Sequence, residues 1–444
     1  MTTASRVEAL FPDIVTELTE LVAIQSVSAD ESRADQVELS ARAAADLISD
    51  LGCEDVRIVS EGGKPAVIAR FPAPPGMPTV CLYAHHDVQP EGDHAAWRSA
   101  PFTATERDGR LFGRGAADDK GGLAVHLAAL RAFGGRPPVG VTLFLEGEEE
   151  IGSPSLGALL AAHRDLLDAD VFVIADSSNW SVGVPAFTST LRGMGQCTVQ
   201  LRTLDHALHS GAFGGVAPDA LTAICRLLAT LHDERGNVAV EGLLSGPGPD
   251  LVYPEDRLRQ ETGILEGVQY IGDGTVVERL WNKPALTVTA LDATPVDKAS
   301  NTLIPAARAV ISMRVAPGDD ARRALQLLVA HLEAHVPWGA QLEVTDTETG
   351  EGAVIPFEGR YAEAARLAYA EAWGRDPVFI GQGGSIPMVA EFASAFPGAT
   401  VLVTAVSDPD SRMHGANESV DLGDLRAACL AETLFLEALG VDAR

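Results

Sequence analysis

The sequence predicts an α/β protein in which a parallel-type sheet is covered by helices and interrupted by a smaller α+β domain. Short apolar runs with strand character alternate with helical patterns over the first 186 residues. The rhythm changes near Phe187 and resumes from about residue 350. Such alternation is typical of βαβ units, because parallel strands need a crossover long enough to hold a helix. We predict one domain from residues 1–186 and 350–444, with residues 187–349 inserted.

The larger domain begins with a predicted helix through FPDIVTELTELVAI. Strands follow through PAVIARF, TVCLYAHHDV, VTLFLEG and ADVFVIAD, which have the length and the β-branched or aromatic content of buried strands. The helical patterns KGGLAVHLAALRAF and SPSLGALLAAHRDLL separate them. After residue 350, a helix through YAEAARLAYAEAW, a Gly-rich loop and a strand through ATVLVTAV complete the domain.

The inserted domain has strands through GMGQCTVQLRT, ARAVISMRVAP and AQLEVTDTE. Amphipathic helices through PDALTAICRLLATLHD and DDARRALQLLVAHLEAHV alternate with them. This order predicts helices that cover one face of an antiparallel sheet.

The charge of the chain limits its partners. It has 62 acidic against 33 basic residues, a formal net charge of −29, which disfavours nucleic acid and anionic membranes and suits a cation. The N-terminus lacks a secretory signal pattern, and no run of 18 apolar residues could span a bilayer. The five cysteines lack CxxC spacing, so we expect free thiols and a cytoplasmic protein.

Histidine and carboxylate residues follow several predicted strands. Open parallel sheets bind ligands at the carboxyl ends of their strands, so these side chains should share one rim. Any single loop end could simply be solvated, but clustered carboxylates repel one another unless a cation neutralises them. The residues at the rim are His85, Asp87, Asp118, Asp119, Glu148, Glu149, Glu150, Asp176 and His414.

This donor set predicts two divalent metal ions that share a carboxylate and a water molecule. Zinc, manganese and cobalt are the metals that suit these ligands. His85 and Asp87 lie two residues apart on one face of an extended chain, so His85 should be a ligand and Asp87 its orienting partner. His86 should then be structural. Of Glu149 and Glu150, one should bind metal and the other accept a proton from the water.

Eight sequence segments, in this order and spacing, resemble the dinuclear zinc peptidase family of carnosine dipeptidases, aminoacylases and glutamate carboxypeptidases. They are AHHDVQP, GRGAADDKGG, EGEEEIGS, VIADSS, LHSGAFGG, SNTLIPAARAVISMR, GGSIP and HGANES. LHSGAFGG, SNTLIPAARAVISMR and GGSIP point to the dipeptidase branch. The resemblance implies a catalytic domain interrupted by a ferredoxin-like lid that also forms a homodimer.

The resemblance also assigns roles to individual residues. It implies a cis peptide between Asp118 and Asp119, a general base at Glu149 and an orienting acid at Asp87. The implied metal ligands are Asp118 as the bridge, His85 and Asp176 on one ion, and Glu150 and His414 on the other. His209 resembles a lid histidine that stabilises the oxyanion in the partner subunit's site. Thr302 and Arg314 resemble contacts to a substrate carboxylate, and Ser385 a residue of a backbone-recognition loop.

The predicted activity is therefore metal-dependent hydrolysis of small dipeptides. An N-acyl-amino-acid deacylase and an inactive metal-binding interaction protein are the alternatives. Each assignment also has a structural alternative, such as a surface salt bridge for Arg314 or a turn cap for His209. One departure from the dipeptidase pattern is Gly381-Gln382, where an Arg-Glu pair is common before GGSIP. Lys120 and Arg192 are expected to retain positive charge near the site. His126 lies in a helical pattern that indicates no partner, and it is expected to be an ordinary surface or core residue.

Overall fold

A computed structural model describes residues 2–384 and 387–441, so Ser385 lies outside the described residues. The chain forms two compact units. The first contains Met1–Ser189, Ile355–Ile380 and Pro387–Arg444, and the second contains Thr190–Val354 and Gly381–Ile386. The domain bounds expected from the sequence, 1–186, 187–349 and 350–444, stay a prediction. The roles of the second unit in lid closure and dimerisation stay predictions.

The helices are α1 (Thr3–Ala23), α2 (Ala34–Asp50), α3 (Lys120–Ala132), α4 (Leu156–Ala162), α5 (Arg164–Leu167), α6 (Ser210–Phe213), α7 (Ala220–Ala229), α8 (Glu255–Thr262), α9 (Ala321–Ala334), α10 (Gly359–Trp373), α11 (Pro387–Ala395) and α12 (Leu422–Val441). The strands are β1 (Asp55–Val59), β2 (Ala66–Phe71), β3 (Thr79–His85), β4 (Thr105–Arg107), β5 (Arg110–Phe112), β6 (Gly140–Glu146), β7 (Val171–Ile174), β8 (Ala186–Leu191), β9 (Gly193–Arg202), β10 (Leu208–His209), β11 (Ala285–Leu291), β12 (Thr302–Leu303), β13 (Ala306–Val315), β14 (Gln341–Gly350), β15 (Ala353–Val354), β16 (Val378–Gln382), β17 (Thr400–Val403) and β18 (Ser419–Asp421).

The central sheet of the first unit has the strand order β1-β2-β6-β3-β7-β17. Its β6–β3, β3–β7 and β7–β17 pairs are parallel, whereas β1–β2 and β2–β6 are antiparallel. The strands β6 and β7 are buried along their full lengths, which explains their continuous apolar sequences. Helix α2 packs on β1 and β2, α3 on β3, and α11 on β17. The predicted α/β fold is confirmed.

Helix α3 shows how a polar side chain is accommodated in this core. Most of the helix is apolar on all sides, and His126 within it is fully buried. Its Nδ1 lies 2.9 Å from each carboxylate oxygen of Glu432, and its Nε2 lies 2.9 Å from the Tyr83 carbonyl oxygen. His126 is therefore a core residue, although its sequence pattern indicated no partner for it. A buried histidine needs such partners, because an unpaired polar group in the core is costly.

The second unit contains an antiparallel sheet of strand order β11-β13-β9-β14. Alternate residues of β9 and β13 are buried, and the apolar faces of α7 and α9 pack on these strands. Asp219 and Asp320 cap the two helices by accepting hydrogen bonds from the backbone N–H groups of Thr222 and Arg323. The expected α+β arrangement of one helical layer on an antiparallel sheet is thus present.

Among the described residues, every helix is too short or too polar to cross a bilayer.

Candidate metal centre

Five segments of the first unit bring nitrogen and carboxylate ligands together. His85 is the last residue of β3, and Asp176 follows the end of β7 by two residues. Asp118 lies one residue before the capping residue of α3. Glu150 lies in a single 3-10 turn after β6, and His414 lies in the loop between β17 and β18. Strands that end at a common edge of the sheet explain this convergence.

These side chains form two groups of three that share Asp118. His85, Asp118 and Asp176 form one group, and Asp118, Glu150 and His414 form the other. Within each group, one ligand atom per residue lies within 4.8 Å of the others. Nε2 of His85 lies 3.0 Å from Oδ1 of Asp118, and Nε2 of His414 lies 3.1 Å from its Oδ2. The two carboxylate oxygens of Asp118 therefore point to different histidines.

The charges in this cluster fit a cation. Burial and the negative charges of Asp118 and Glu150 raise the pKa of Asp176 to about 7, despite the opposing effect of His85. Hydrogen bonds with Asp118 and Glu150 raise the pKa of His414 to about 10. Both shifts arise from the crowding of carboxylates in the cluster, a repulsion that a bound cation would relieve. Two imidazoles and three carboxylates also match the donors that zinc, manganese and cobalt accept.

Asp87 links the end of β3 to the turn that carries Glu149 and Glu150. Its two carboxylate oxygens accept hydrogen bonds from the backbone N–H groups of Glu149, at 3.2 Å, and Glu150, at 3.1 Å. Nδ1 of His85 lies 3.0 Å from the backbone carbonyl oxygen of Asp87 and 3.4 Å from its Oδ1. The shorter contact of the His85 ring is therefore with the main chain of Asp87.

Glu149 and Glu150 have different environments. Oε2 of Glu150 accepts a hydrogen bond of 2.8 Å from Gln89 and lies 3.3 Å from Nε2 of His414. Glu149 belongs to neither group of three. Burial, followed by the charge of Asp176, raises the pKa of Glu149 to about 9. The adjacent glutamates thus differ in environment, with Glu150 inside one group of three and Glu149 outside both.

His86 is held away from both groups. Nε2 of this fully buried ring lies 2.9 Å from the Pro65 carbonyl oxygen. Burial lowers the pKa of His86 to about 4, so the ring is neutral at pH 7. This environment agrees with a structural histidine.

Two further carboxylates near the ligands are buried, Asp119 and Glu148. Asp119 accepts backbone hydrogen bonds from His85 and Gly122, and its peptide bond with Asp118 is cis. Glu148 is also buried and accepts a hydrogen bond from the Lys64 backbone N–H. Both side chains are therefore bonded to the backbone beside the ligands and are not solvated, in contrast to an ordinary loop end.

Lys120 is oriented towards a helix terminus. Its ammonium donates to the Leu21 and Ile24 carbonyl oxygens at 2.8 and 2.7 Å, near the end of α1. Burial lowers the pKa of Lys120 to about 7. The side chain therefore anchors α1, which sequence analysis did not anticipate.

The predicted substrate residues lie in the second unit, except for Ser385, which is outside the described residues. His209 of β10 pairs with Thr302 of β12 in a short antiparallel ribbon, and both residues are exposed. Nδ1 of His209 accepts a hydrogen bond from the Ala212 backbone N–H at 3.3 Å, which leaves Nε2 as the protonated nitrogen of the neutral ring.

The second unit also holds two neighbouring arginines, Arg192 and Arg314. Burial and the charge of Arg314 lower the pKa of Arg192 to about 10. Nη1 of Arg192 lies 3.4 Å from the Lys283 carbonyl oxygen. Among the described residues, neither arginine forms a salt bridge with a carboxylate.

Gly381 lies at a position where the chain leaves no room for a side chain. A Cβ atom there would lie 2.5 Å from Cβ of Trp281 and 2.6 Å from Oγ1 of Thr190. Trp281 therefore occupies the space that the usual arginine would need. This steric relation is compatible with the observed Gly381-Gln382 sequence.

The chain is similar to a peptidase family and to named dipeptidases. Residues 81–438 match peptidase family M20/M25/M40. The cysteinylglycine-S-conjugate dipeptidase of Corynebacterium striatum is 33% identical over 434 residues, covering 96% of this chain and 95% of that protein. The Cys-Gly metallodipeptidase of Saccharomyces cerevisiae is 27% identical over 466 residues, covering 97% of this chain and 96% of that protein.

Solved structures agree with this relationship. The dipeptidase Dug1p of Saccharomyces cerevisiae superposes with a TM-score of 0.80 at 25% identity, covering 99% of this chain and 98% of that chain. Human carnosine dipeptidase 1 has the same TM-score and identity, with 98% of each chain covered. The chain therefore belongs to peptidase family M20/M25/M40 and is a metal-dependent dipeptidase.

Proposed function

We propose that the first unit binds two divalent ions that share Asp118. His85 and Asp176 complete one site, and Glu150 and His414 complete the other. The observation that carries this proposal is the pair of three-residue groups with Asp118 in common. Each oxygen of Asp118 faces a different histidine, as a bridging carboxylate requires.

Glu149 is the proposed general base. Bound divalent ions make a water molecule more acidic and polarise the substrate carbonyl group. Glu149 accepts the proton from the attacking water and delivers it to the nitrogen of the leaving amine. Asp87 orients the turn through its bonds to the Glu149 and Glu150 backbone N–H groups. The base Glu149 and the proposed ligand Glu150 are adjacent in the chain but have different environments, because Glu150 accepts a hydrogen bond from Gln89.

We propose that the substrate contacts include residues of the second unit. The protonated Nε2 of His209 can donate to an oxyanion, and the opposite residue Thr302 has an exposed hydroxyl. Arg314 binds the substrate carboxylate, since its neighbour Arg192 adds positive charge without a balancing salt bridge among the described residues. The backbone-recognition role of Ser385 is also proposed.

We propose cysteinylglycine-type dipeptides as the first substrate class to examine, because two relatives carry that specificity in their names. The experiment measures free amino acid released by chelator-stripped protein after zinc, manganese or cobalt is returned. Cys-Gly, an S-substituted Cys-Gly and β-Ala-His are compared with N-acetyl and N-succinyl amino acids. Preferential metal-restored cleavage of Cys-Gly compounds supports this class.

The same experiment separates the alternative functions. Cleavage confined to acylated amino acids would instead support a deacylase. Metal binding without cleavage of any compound would support a binding protein. Zinc is the proposed metal because imidazole and carboxylate ligands suit it, and the returned metal that gives the highest kcat/KM at matched occupancy tests this choice.

We also propose a cytoplasmic homodimer in which His209 acts in the partner's site. Light scattering tests the dimer, and cell fractionation tests the location. Mixing His209→Ala with Glu149→Gln subunits tests action across the dimer. Verified subunit exchange without recovery of activity would contradict that arrangement, because one hybrid site should contain both intact residues.

A further inference from the structure

Glu418 makes an unusual set of contacts beside the proposed bridging ligand. The residue is fully buried, and its Oε1 accepts hydrogen bonds from the backbone N–H groups of Ala117, at 3.0 Å, and Asp118, at 3.1 Å. Its Oε2 accepts from the Gly115 backbone N–H at 3.0 Å and from Arg114 at 2.6 Å. Four donors thus converge on one carboxylate, including the backbone N–H group of the proposed bridging residue.

Arg114 extends this network to the loop that carries His414. The arginine is 1% exposed, and its Nη1 donates to Glu418. Its Nη2 lies 3.2 Å from the Gly415 carbonyl oxygen and 3.2 Å from the Pro90 carbonyl oxygen. One buried ion pair therefore joins the segment before Asp118 to the residue after His414.

The loop around His414 requires such anchoring. Arg412, His414 and Asn417 have positive φ angles of 54°, 62° and 65°, which side-chain-bearing residues adopt at a cost. The side-chain oxygen of Asn417 accepts from the Arg98 backbone N–H, and its amide donates to the Ala96 carbonyl oxygen, both at 2.8 Å. Hydrogen bonds to fixed neighbours hold the loop in this conformation.

We propose that Glu418 is a positioning residue of the metal centre, which fixes Asp118 directly and the His414 loop through Arg114. This inference rests on the two-ion assignment proposed above. Glu418 itself lies in neither ligand group. Its loss should weaken the ion held by Asp118, Glu150 and His414 more than the ion held by His85, Asp118 and Asp176, because only the former depends on both anchored segments.

The test is Glu418→Gln, which keeps the size of the side chain. Each oxygen of Glu418 accepts from two donors, so the new amide NH2 must face two donors in either orientation, and two hydrogen bonds are lost. We expect one of the two zinc ions to bind about 10- to 100-fold more weakly, the usual effect of changing a residue that orients metal ligands. Equilibrium dialysis of chelator-stripped protein against buffered zinc measures both dissociation constants.

Two further variants identify the affected ion. His414→Ala should lose the same ion, so adding Glu418→Gln to His414→Ala should weaken the one remaining ion by less than Glu418→Gln alone weakens the affected ion. Excess zinc should restore turnover in Glu418→Gln, because the chemical groups remain. Weakening of both ions by the same factor in Glu418→Gln, or zinc binding by Glu418→Gln with both wild-type dissociation constants, would overturn the inference.

Asp424→Asn provides a matched control. Asp424 is also a buried carboxylate that accepts from a backbone N–H, that of Gly183, and from a side-chain N–H, that of Trp373. It should retain both zinc affinities, whereas an equal loss in this control would attribute the effect to general destabilisation. If Glu418→Gln does not fold, Arg114→Lys must show the same selective loss for the inference to stand. Failure of the wild type to bind two ions would refute the proposed function itself.

Discussion

Replacing Glu149 with glutamine tests whether this residue is the base, and it has two opposite expected effects. Burial and the charge of Asp176 raise the pKa of Glu149 from 4.5 to about 9 in the metal-free chain. The folded metal-free protein therefore holds a proton here that the unfolded chain releases at neutral pH. Glutamine has a similar shape without this titration, so it should stabilise the metal-free fold while it abolishes proton transfer.

The magnitude follows from the size of the pKa shift. A group with a raised folded pKa contributes stability below pH 4.5 and loses it progressively as the pH rises towards 9. At about pH 7.5 the protein lies roughly 3 pH units above the unfolded pKa, which corresponds to at most about 4 kcal/mol at 1.36 kcal/mol per unit. Turnover should fall by about 10²- to 10⁴-fold, the usual contribution of a general base.

Three measurements are needed for Glu149→Gln. Denaturant unfolding with a chelator at pH 5 and pH 7.5 gives the stability difference, which should be larger at pH 7.5. Zinc dialysis should show both ions retained, since Glu149 belongs to neither ligand group. The kcat for a cleaved dipeptide gives the catalytic effect. A variant with both ions bound and near-normal kcat would refute the assignment of Glu149 as the base.

Three further predictions concern neighbouring positions. His85→Ala should lose one zinc ion in dialysis. His86→Ala should keep both ions but lose about 1–3 kcal/mol of unfolding free energy, because its buried hydrogen bond is removed. Loss of an ion in His86→Ala would contradict this prediction. Burial raises the pKa of Glu146 from 4.5 to about 7, so the stability of the fold falls as the pH rises through this range. Glu146→Gln should therefore stabilise the metal-free protein by up to about 3 kcal/mol at pH 8 but little at pH 4.5. An equal effect at both pH values would exclude this origin. Gly381→Ala should lower the unfolding free energy by about 1–3 kcal/mol, because its Cβ would clash with Trp281. Gly384→Ala serves as the control, since a Cβ there has open space. Equal stabilities of the two variants would contradict the steric argument.

The sequence predicted the main features of the fold because they depend on local patterns. Continuous apolar runs identified β6 and β7, and alternating burial in β9 and β13 matches their sequence periodicity. The alternation of side chains along an extended chain also predicted different roles for His85 and His86. The long helix α12 and the antiparallel strand β1 were not predicted. The buried residues of α12 lie around most of the helix instead of along one stripe, and β1 is only partly buried.

The ligand set was predicted partly by strand order and partly by family resemblance. The sequence placed His85 and Asp176 after two predicted strands, but spacing alone left open which of Glu149 and Glu150 would join the ligands. The structure brings Glu150 to His414 and leaves Glu149 outside both ligand groups. The roles of these residues in catalysis stay predictions.

The sequence by itself therefore determined the alternation of strands and helices, the acidic character and the segments that carry the candidate ligands. Only the tertiary structure decided which buried charges meet, because their partners are distant along the chain. Arg114 and Glu418 are 304 residues apart, and His126 and Glu432 are 306 apart. No local periodicity encodes such pairs, since they form only when the packing of separate elements excludes water and requires each buried charge to find a partner.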